Sequence, residues 1–189
     1  MTYRKGFFFA IGLQGSGKTA FITKLAVDNF YETPRKVYSN YTLKGIPCEY
    51  VTFDIEKEVF TDREYINILD KLDEDVNYFN NSIILLDEIH VYLDSLDFMR
   101  KNNRKLQKFF SQLRKRNILL LGTTQFLMHL DVRIRRQAMN IFEMRQLSKT
   151  TFEVITSELQ MDRYLLPVSR YQLELDDYFE YYDTNEVIN

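Results

Sequence analysis

The sequence predicts an α/β fold, a three-layer sandwich whose mainly parallel central sheet carries helices on both faces. Three short apolar runs, at residues 7–11, 82–86 and 118–122, have the continuous apolarity of strands that are buried on both faces. Apolar residues at helical spacing follow the first two runs, so strands and helices alternate along the chain. Because polar residues follow each run, we expect a ligand site at the carboxyl ends of the strands.

The first half of the chain is predicted to contain one long helix and an edge of the sheet. The helix begins at Lys18 and ends before Pro34. Residues 36–41 and 46–53 are predicted to form two strands around a Lys-Gly turn, and residues 62–72 an amphipathic crossover helix. These elements are expected to lie on one side of the central strands.

The second half is predicted to combine a basic helix with a C-terminal β-hairpin. Four apolar residues of the helix recur every three or four positions and predict a face that packs on the sheet: Leu106, Phe109, Phe110 and Leu113. Alternating residues at 139–146 and 152–156 predict the hairpin, joined at 148–150. We expect all 189 residues to form one domain, with a core at about 5–147 and a hairpin and acidic tail at about 148–189.

The composition is that of a globular chain that is held together by packing. Hydrophobic residues make up 45% of the sequence, against six glycines and three prolines, which excludes a disordered or fibrous protein. The single cysteine, Cys48, cannot form an intramolecular disulfide or a zinc cluster, so a reducing compartment is expected. No apolar run reaches the roughly 20 residues that span a bilayer. We therefore expect neither a signal peptide nor an integral membrane segment.

Charge is distributed unevenly along the chain, although the net charge is only −2. No acidic residue occurs between Asp97 and Asp131, an interval that holds eight bases: Arg100, Lys101, Arg104, Lys105, Lys108, Arg114, Lys115 and Arg116. After Arg170 the chain carries acidic residues and no basic one. The basic stretch either contacts the phosphates of a nucleic acid or forms a solvated helix face, and the lack of compensating acids favours the nucleic acid slightly.

The stretch Gly12-Leu-Gln-Gly-Ser-Gly-Lys-Thr19 matches the pattern G-x-x-x-x-G-K-[ST] in full, between a strand and a helix as that pattern requires. In such a P-loop, glycines let backbone N–H groups converge on phosphates at the helix N-terminus. Lys18 is expected to reach the β- and γ-phosphates of ATP, and the Thr19 hydroxyl to bind Mg²⁺. A glycine turn that merely links a strand to a helix would need neither the lysine nor the hydroxyl at these two positions. The predicted nucleotide-binding residues are Gly12, Gln14, Gly15, Ser16, Gly17, Lys18, Thr19 and Ala20.

Two acidic residues directly follow the apolar run at 82–86. Asp87 stands at the strand tip, where a carboxylate can hold the Mg²⁺ ligand sphere through water, and Glu88 is placed to polarise the attacking water. A phosphotransferase must keep water unactivated, so this second acid favours hydrolysis over kinase chemistry. The alternative is that Glu88 is merely an acid favoured by the dipole of a helix N-terminus.

Gln125 and a set of arginines are the remaining candidates for the site. Gln125 follows the run at 118–122 and is expected to sense the γ-phosphate if the strands are neighbours, although a loop glutamine is usually only solvated. An arginine supplied by a neighbouring subunit raises hydrolysis at such sites by roughly 10³ to 10⁵. We consider Arg116 first for this role, then Arg114 and Arg135, although most arginines in such runs are solvated.

The order of GLQGSGKT, SIILLDE and LRKRNILLLGTTQ resembles that of the FtsK-HerA superfamily of P-loop motors, over roughly residues 5–147. The short chain looks most like the genome-packaging ATPases of tailless icosahedral and archaeal viruses, and the related Zot-like assembly proteins of filamentous phages. The resemblance implies a P-loop NTPase fold, a sensor at Gln125 and an arginine at Arg116 or Arg114 that acts in trans. It also implies a homo-oligomeric ring, a hexamer or a pentamer, that translocates double-stranded DNA.

We therefore hypothesise an ATP-hydrolysing DNA translocase that packages a viral double-stranded DNA genome into a preformed capsid, with a capsid or vertex protein as partner. Such a protein is expected in the host cytoplasm or with the virion. One alternative is a Zot-like morphogenesis protein that binds nucleotide without sustained turnover, against which the lack of a membrane segment counts. A small P-loop kinase is a weaker alternative.

Overall fold

A computed structural model describes residues 3–53, 64–93, 105–161 and 164–183. Within these residues, nine strands form one mixed sheet in the order β4-β3-β2-β5-β6-β1-β7-β8-β9. The strands are β1 (Gly6–Ile11), β2 (Lys36–Ser39), β3 (Glu49–Thr52), β4 (Tyr65–Asn67), β5 (Ser82–Leu86), β6 (Leu119–Thr124), β7 (Ala138–Gln146), β8 (Thr151–Gln160) and β9 (Tyr164–Glu174). The helices are α1 (Lys18–Glu32), α2 (Ile68–Glu74), α3 (His90–Leu93), a helical segment at 105–112 (α4) and α5 (Val132–Arg135), with 3-10 helices at Leu127–His129 and Asp176–Tyr181.

The predicted fold class is confirmed. Strands β1 to β7 pair in parallel, whereas β7, β8 and β9 pair antiparallel. Every residue of β5 and β6 is buried, because both strands lie in the middle of the sheet under helices on both faces. The carboxyl ends of β1, β5 and β6 therefore meet at one edge of the sheet, where the P-loop and the residues after β5 and β6 lie.

Side chains of β1 alternate between two apolar layers. Phe7 and Phe9 belong to the layer under α4, where the rings of Phe7 and Phe110 are 4.7 Å apart. Phe8 points to the opposite layer, with the buried apolar residues of α1. In α4 and the turn after it, the four predicted apolar residues are buried, whereas four bases are exposed: Lys105, Lys108, Arg114 and Lys115. Residues 100–104 of the basic stretch lie outside the described residues.

The helix predicted at 62–72 is wrong in its first half. Residues Tyr65–Asn67 form β4, and the helix begins only at Ile68. Parallel pairing of Ile66 with Val51 outweighs the local helical pattern, and the Asn67 side chain caps α2 by accepting from the backbone N–H of Leu69 at 2.9 Å. Residues 62 and 63 lie outside the described residues.

The two strands around Lys44 and Gly45 do not form a hairpin, since β2 and β3 run parallel. The segment between them instead turns towards the C-terminus, where Leu43 forms an isolated antiparallel bridge with Tyr182. The backbone N–H of Lys44 donates to the carbonyl of Tyr181 at 2.8 Å. The Tyr178 hydroxyl also donates to Oδ1 of Asp28 in α1 at 3.0 Å. The described part of the acidic tail, up to residue 183, thus lies against α1 and the loop after β2.

The predicted hairpin is present as β7 and β8, but the sequence pattern missed β9, an 11-residue strand. None of the β9 residues is fully buried, so the strand lacks the apolar alternation by which strands are recognised. Its pairing with β8 also shifts register between Thr156 and Ser157, next to Pro167. Proline is typical of such irregular edge positions, and its presence makes the strand harder to recognise in the sequence.

Among the described helices, none is long and apolar enough to cross a bilayer.

The thiol of Cys48 is expected to be unreactive in the folded protein. Burial raises its pKa to about 12, so the nucleophilic thiolate is scarce at neutral pH. Iodoacetamide should therefore alkylate the folded protein at least about tenfold more slowly than the protein in guanidinium chloride, as mass spectrometry measures. Equal rates would contradict this interpretation.

Candidate functional site

The P-loop joins β1 to α1 and needs glycine at two positions for steric reasons. Gly12 has φ 149° and Gly17 has φ 83°, conformations that L-residues rarely adopt. A Cβ at Gly12 would lie 2.6 Å from the Met144 carbonyl oxygen, and one at Gly17 would lie 2.6 Å from the Phe152 ring. Strands β7 and β8 therefore support the loop from one side.

Lys18, the first residue of α1, is held under the loop. Only 6% of it is exposed, and its Nζ donates to the Leu13 carbonyl oxygen at 3.2 Å. The Nζ also lies 4.0 Å from Oε1 of Glu88. Its positive charge is thus fixed at the N-terminus of α1, where the helix dipole adds to it.

Thr19 and Asp87 meet although they are 68 positions apart in the sequence. The Thr19 hydroxyl lies 3.0 Å from Oδ1 and 3.1 Å from Oδ2 of Asp87. A hydroxyl and a carboxylate are hard oxygen ligands of the kind that Mg²⁺ takes in P-loop sites, with water and phosphate completing the shell. Among the described residues, no cluster of three or more acidic, histidine or cysteine side chains offers a complete protein-made metal site. The Thr19 hydroxyl and the Asp87 carboxylate thus fit the part of a Mg²⁺ shell that a P-loop protein supplies.

The environment of Asp87 perturbs its ionisation. Burial raises the pKa of its carboxyl group above the ordinary value, and the nearby charge of Glu88 adds to this effect. Hydrogen bonds from Thr123 and Thr19, and the charge of Lys18, oppose the increase. Burial of the ionised form of Asp87 therefore costs folding free energy, as is common at functional sites.

Glu88 lies just beyond β5 in a left-handed conformation, with φ 46°. Its Oε2 is buried and lies 3.2 Å from Nδ1 of His90, but without hydrogen-bonding geometry to any described residue. The carboxylate is therefore held between Lys18 and His90, with Oε1 towards the lysine.

Gln125 borders a cavity of about 680 Å³ next to the P-loop. The cavity lies between the loop at 12–16, the residues after β6 and the last residues of β7. Three exposed apolar side chains stand around it, with 69% of Leu13, 50% of Phe126 and 50% of Leu147 accessible. The structure thus brings Gln125 next to the P-loop, as the neighbouring positions of β1 and β6 require.

The three candidate arginines lie in different environments. Arg116 precedes β6, at the opposite end of that strand from Gln125, and donates to the Val76 carbonyl oxygen and to the Gln112 side chain. Arg114 is exposed. Arg135 is only 7% exposed and donates to Sδ of Met128 at 2.8 Å, so it does not project from the surface as an arginine that reaches another subunit must.

Sequence reasoning missed two residues that contact the Asp87 segment. Asn40, which follows β2, exchanges two hydrogen bonds with the backbone of Asp87. Thr123 of β6 contacts both Asp87 and Glu88. The only signal in the sequence is a polar residue at the end of a predicted strand. Its contact with the Asp87 segment can be inferred only once the order of the strands is known.

The mainly parallel sheet, the P-loop and the acidic pair after β5 together define a P-loop NTPase. The profile described as zonular occludens toxin (Zot) matches residues 6–185, and the chain therefore belongs to the Zot family. No curated protein matches the sequence. The sequence resemblance placed the packaging ATPases first and the Zot-like proteins second. The match over residues 6–185 shows the second of these families.

Similar solved structures support the fold. The N-terminal domain of zonular occludens toxin from Neisseria meningitidis is 20% identical, with 96% of this chain and 100% of that chain covered and a TM-score of 0.65. B204, the DNA-packaging ATPase from Sulfolobus turreted icosahedral virus, is 15% identical over 79% of this chain and 91% of that chain, with a TM-score of 0.54. The genome-packaging NTPase B204 from Sulfolobus turreted icosahedral virus 2, in complex with ATP-gammaS, is 10% identical over 87% and 96%, with a TM-score of 0.52.

Proposed function

We propose that this protein is a Mg²⁺-dependent ATPase that uses hydrolysis to move DNA during phage assembly. The observation that carries the proposal is the position of Glu88, whose Oε1 lies 4.0 Å from Nζ of Lys18. In a P-loop the lysine contacts the β- and γ-phosphates, so a carboxylate beside it can polarise a water molecule that attacks the γ-phosphate. A carboxylate that polarises water beside the γ-phosphate would waste ATP in an enzyme that transfers phosphate to another substrate, and hydrolysis is therefore favoured.

Each part of the proposed site has a separate task. The backbone N–H groups of the P-loop and the Lys18 ammonium group bind the phosphates, and Gln125 responds to the γ-phosphate. Thr19 and Asp87 hold Mg²⁺, which when bound neutralises charge on the phosphates. Glu88 orients the attacking water and accepts its proton. The cavity beside the loop has room for the nucleoside, and the ATP-gammaS complex of B204 supports ATP as the nucleotide.

Assembly into a ring would supply the cation that completes hydrolysis. Arg116 and Arg114 lie near the amino end of β6, away from the P-loop of their own subunit. An arginine there acts only if that end of one subunit faces the nucleotide site of the next, which is a head-to-tail contact. We therefore propose a homo-oligomeric ring, a hexamer or a pentamer, with Arg116 or Arg114 acting in trans.

The exposed bases of α4 and the following turn are the proposed DNA-binding surface. Lys108, Arg114 and Lys115 face solvent, whereas Lys105 is exposed but pairs with Asp73 at 2.5 Å. Such a surface binds phosphates regardless of the DNA sequence. We propose double-stranded DNA as the main substrate, with the protein acting in the host cytoplasm or with the virion. If the DNA is a viral genome that is packaged into a preformed capsid, we propose a capsid or vertex protein as the partner.

DNA is expected to stimulate ATP hydrolysis several-fold, and the stimulation should fall as salt is raised because the contacts are made to phosphates. Turnover is measured without DNA, with duplex DNA and with single strands of the same sequence. Replacing both Lys108 and Lys115 with alanine should reduce stimulation, whereas Lys149→Ala, which removes an exposed base from the β7–β8 turn, should not. Equal rates with and without both forms of DNA, at every salt concentration, would refute the motor proposal.

Membership of the Zot family supports a second candidate, a nucleotide-binding morphogenesis protein without sustained turnover. In that case the assembled protein should bind ATP tightly and release no phosphate in steady state. The native mass with and without a non-hydrolysable ATP analogue and DNA shows whether nucleotide drives assembly. Stable phosphate transfer to a nucleoside monophosphate would instead favour a kinase.

A further inference from the structure

The residues that carry the proposed chemistry lie beyond the regular hydrogen bonding of β5. The last register pairs of that strand join Leu85 to Ser39 of β2 and Leu86 to Gly122 of β6. Asp87 and Glu88 follow these pairs, so something other than the regular strand pairing must fix their backbone. Side chains from both neighbouring strands provide those contacts.

Asn40 fixes Asp87 from the β2 side. Its Nδ2 donates to the Asp87 carbonyl oxygen at 2.8 Å, and its Oδ1 accepts from the Asp87 backbone N–H at 2.7 Å. The Asn40 side chain thus replaces a pair of strand hydrogen bonds. Because only 3% of the residue is exposed, water does not readily substitute for either contact.

Thr123 fixes the turn from the β6 side. Its hydroxyl accepts from the Glu88 backbone N–H at 2.8 Å and donates to Oδ1 of Asp87. Its carbonyl oxygen accepts from the backbone N–H of Ile89 at 2.9 Å. One buried hydroxyl therefore contacts both acidic residues of the site, two positions before Gln125.

The turn needs this support because of its conformation. Glu88 has φ 46°, in the left-handed region that a residue other than glycine adopts uncommonly and at a cost in free energy. With the backbone in this conformation, Oε1 of Glu88 lies 4.0 Å from Nζ of Lys18. Contacts from two strands to consecutive residues hold the strained arrangement in place.

We propose that Asn40 and Thr123 form a clamp that positions Glu88 for hydrolysis without themselves touching the nucleotide. This inference rests on the proposed hydrolytic role of Glu88. The clamp acts through the Glu88 backbone, and Thr123 also orients the Asp87 carboxylate. Loss of the clamp therefore lowers the rate of the chemical step more than it weakens the binding of ATP.

The main test compares Thr123→Val, which keeps the shape and loses the hydroxyl, with Thr123→Ser, which keeps the hydroxyl. We expect Thr123→Val to lower kcat at least about tenfold while KM for ATP changes less than about threefold, and Thr123→Ser to restore most of the rate. Asn40→Ala should lower kcat in the same way and provides the test if Thr123→Val does not fold. Thr52→Val, which removes a buried hydroxyl from β3, away from β5, is the control for a general loss of packing and should retain wild-type kcat.

A double-mutant comparison separates positioning from stability. Thr123 also contacts the Asp87 carboxylate, whereas Asn40 contacts only the Asp87 backbone, so Asn40→Ala is the variant for this comparison. If Asn40 acts through the Glu88 side chain, Asn40→Ala should cause little further loss in protein that already carries Glu88→Gln, as single-turnover rates measure. Wild-type kcat in Thr123→Val and Asn40→Ala, or an equally large loss from Asn40→Ala in the Glu88→Gln background, overturns the clamp while the proposed ATPase stands. Wild-type protein that does not hydrolyse ATP in any assembled state overturns both proposals.

Discussion

Replacing Glu88 with glutamine is expected to lower ATP turnover by roughly 10²–10⁴ and to leave ATP binding nearly unchanged. Glutamine keeps the size of the side chain but cannot accept the proton of the attacking water. Nζ of Lys18 is also held by the Leu13 carbonyl oxygen, so the substitution is expected to leave the lysine and its contacts with phosphates in place. Steady-state phosphate release and equilibrium binding of a fluorescent ATP analogue measure the two effects separately.

Two controls make the Glu88 result specific. Glu74→Gln removes an exposed carboxylate at the end of α2 and should leave turnover unchanged. Lys18→Ala should weaken nucleotide binding as well as turnover, which distinguishes the loss of a phosphate ligand from the loss of a base. If Glu88→Gln hydrolyses ATP at the wild-type rate, Glu88 is not the residue that activates water.

The central strands could be predicted because their burial between helices requires a run of apolar residues, which is visible in the local sequence. A strand covered by helices on both faces is apolar along most of its length, and residues 83–86 of β5 and 119–121 of β6 are continuously apolar in the sequence. β9 has no such requirement, since neither of its faces is fully covered. Its existence depends on pairing with β8, which is a tertiary contact that no local pattern carries. The same reason explains β4, where pairing with β3 overrides a helical pattern.

The candidate site was predictable where its residues belong to a contiguous motif. Lys18, Thr19 and Asp87 follow from the P-loop pattern and from an acid at a strand end. Asn40 and Thr123 were missed because their contacts depend on β5 lying between β2 and β6. The burial of Arg135 is likewise a tertiary property, because an arginine in a charged segment looks exposed in the sequence.

The charge of Asp87 is expected to make the folded protein less stable at neutral pH when Mg²⁺ and nucleotide are removed. Burial raises the pKa of this carboxyl group, which means that the folded protein binds its proton more tightly than the unfolded chain does. As the pH rises above the ordinary carboxyl value and through the raised value, the unfolded chain ionises freely while the folded protein must bury a charge. The contribution of Asp87 to the free energy of unfolding therefore declines over this range of pH.

Asp87→Asn should consequently raise stability and abolish function together. We expect the free energy of unfolding at neutral pH in EDTA to increase by about 1 kcal/mol, with a gain that shrinks towards acidic pH. Mg²⁺-dependent ATP turnover should fall by roughly 10²–10³, because the amide is neutral where a carboxylate is needed to hold the cation. Urea denaturation across pH measures the first effect and phosphate release the second, with Asp177→Asn as the control for an exposed carboxylate. An unchanged or lower stability in EDTA at neutral pH would show that the hydrogen bonds from Thr19 and Thr123 already offset the cost of burying the charge.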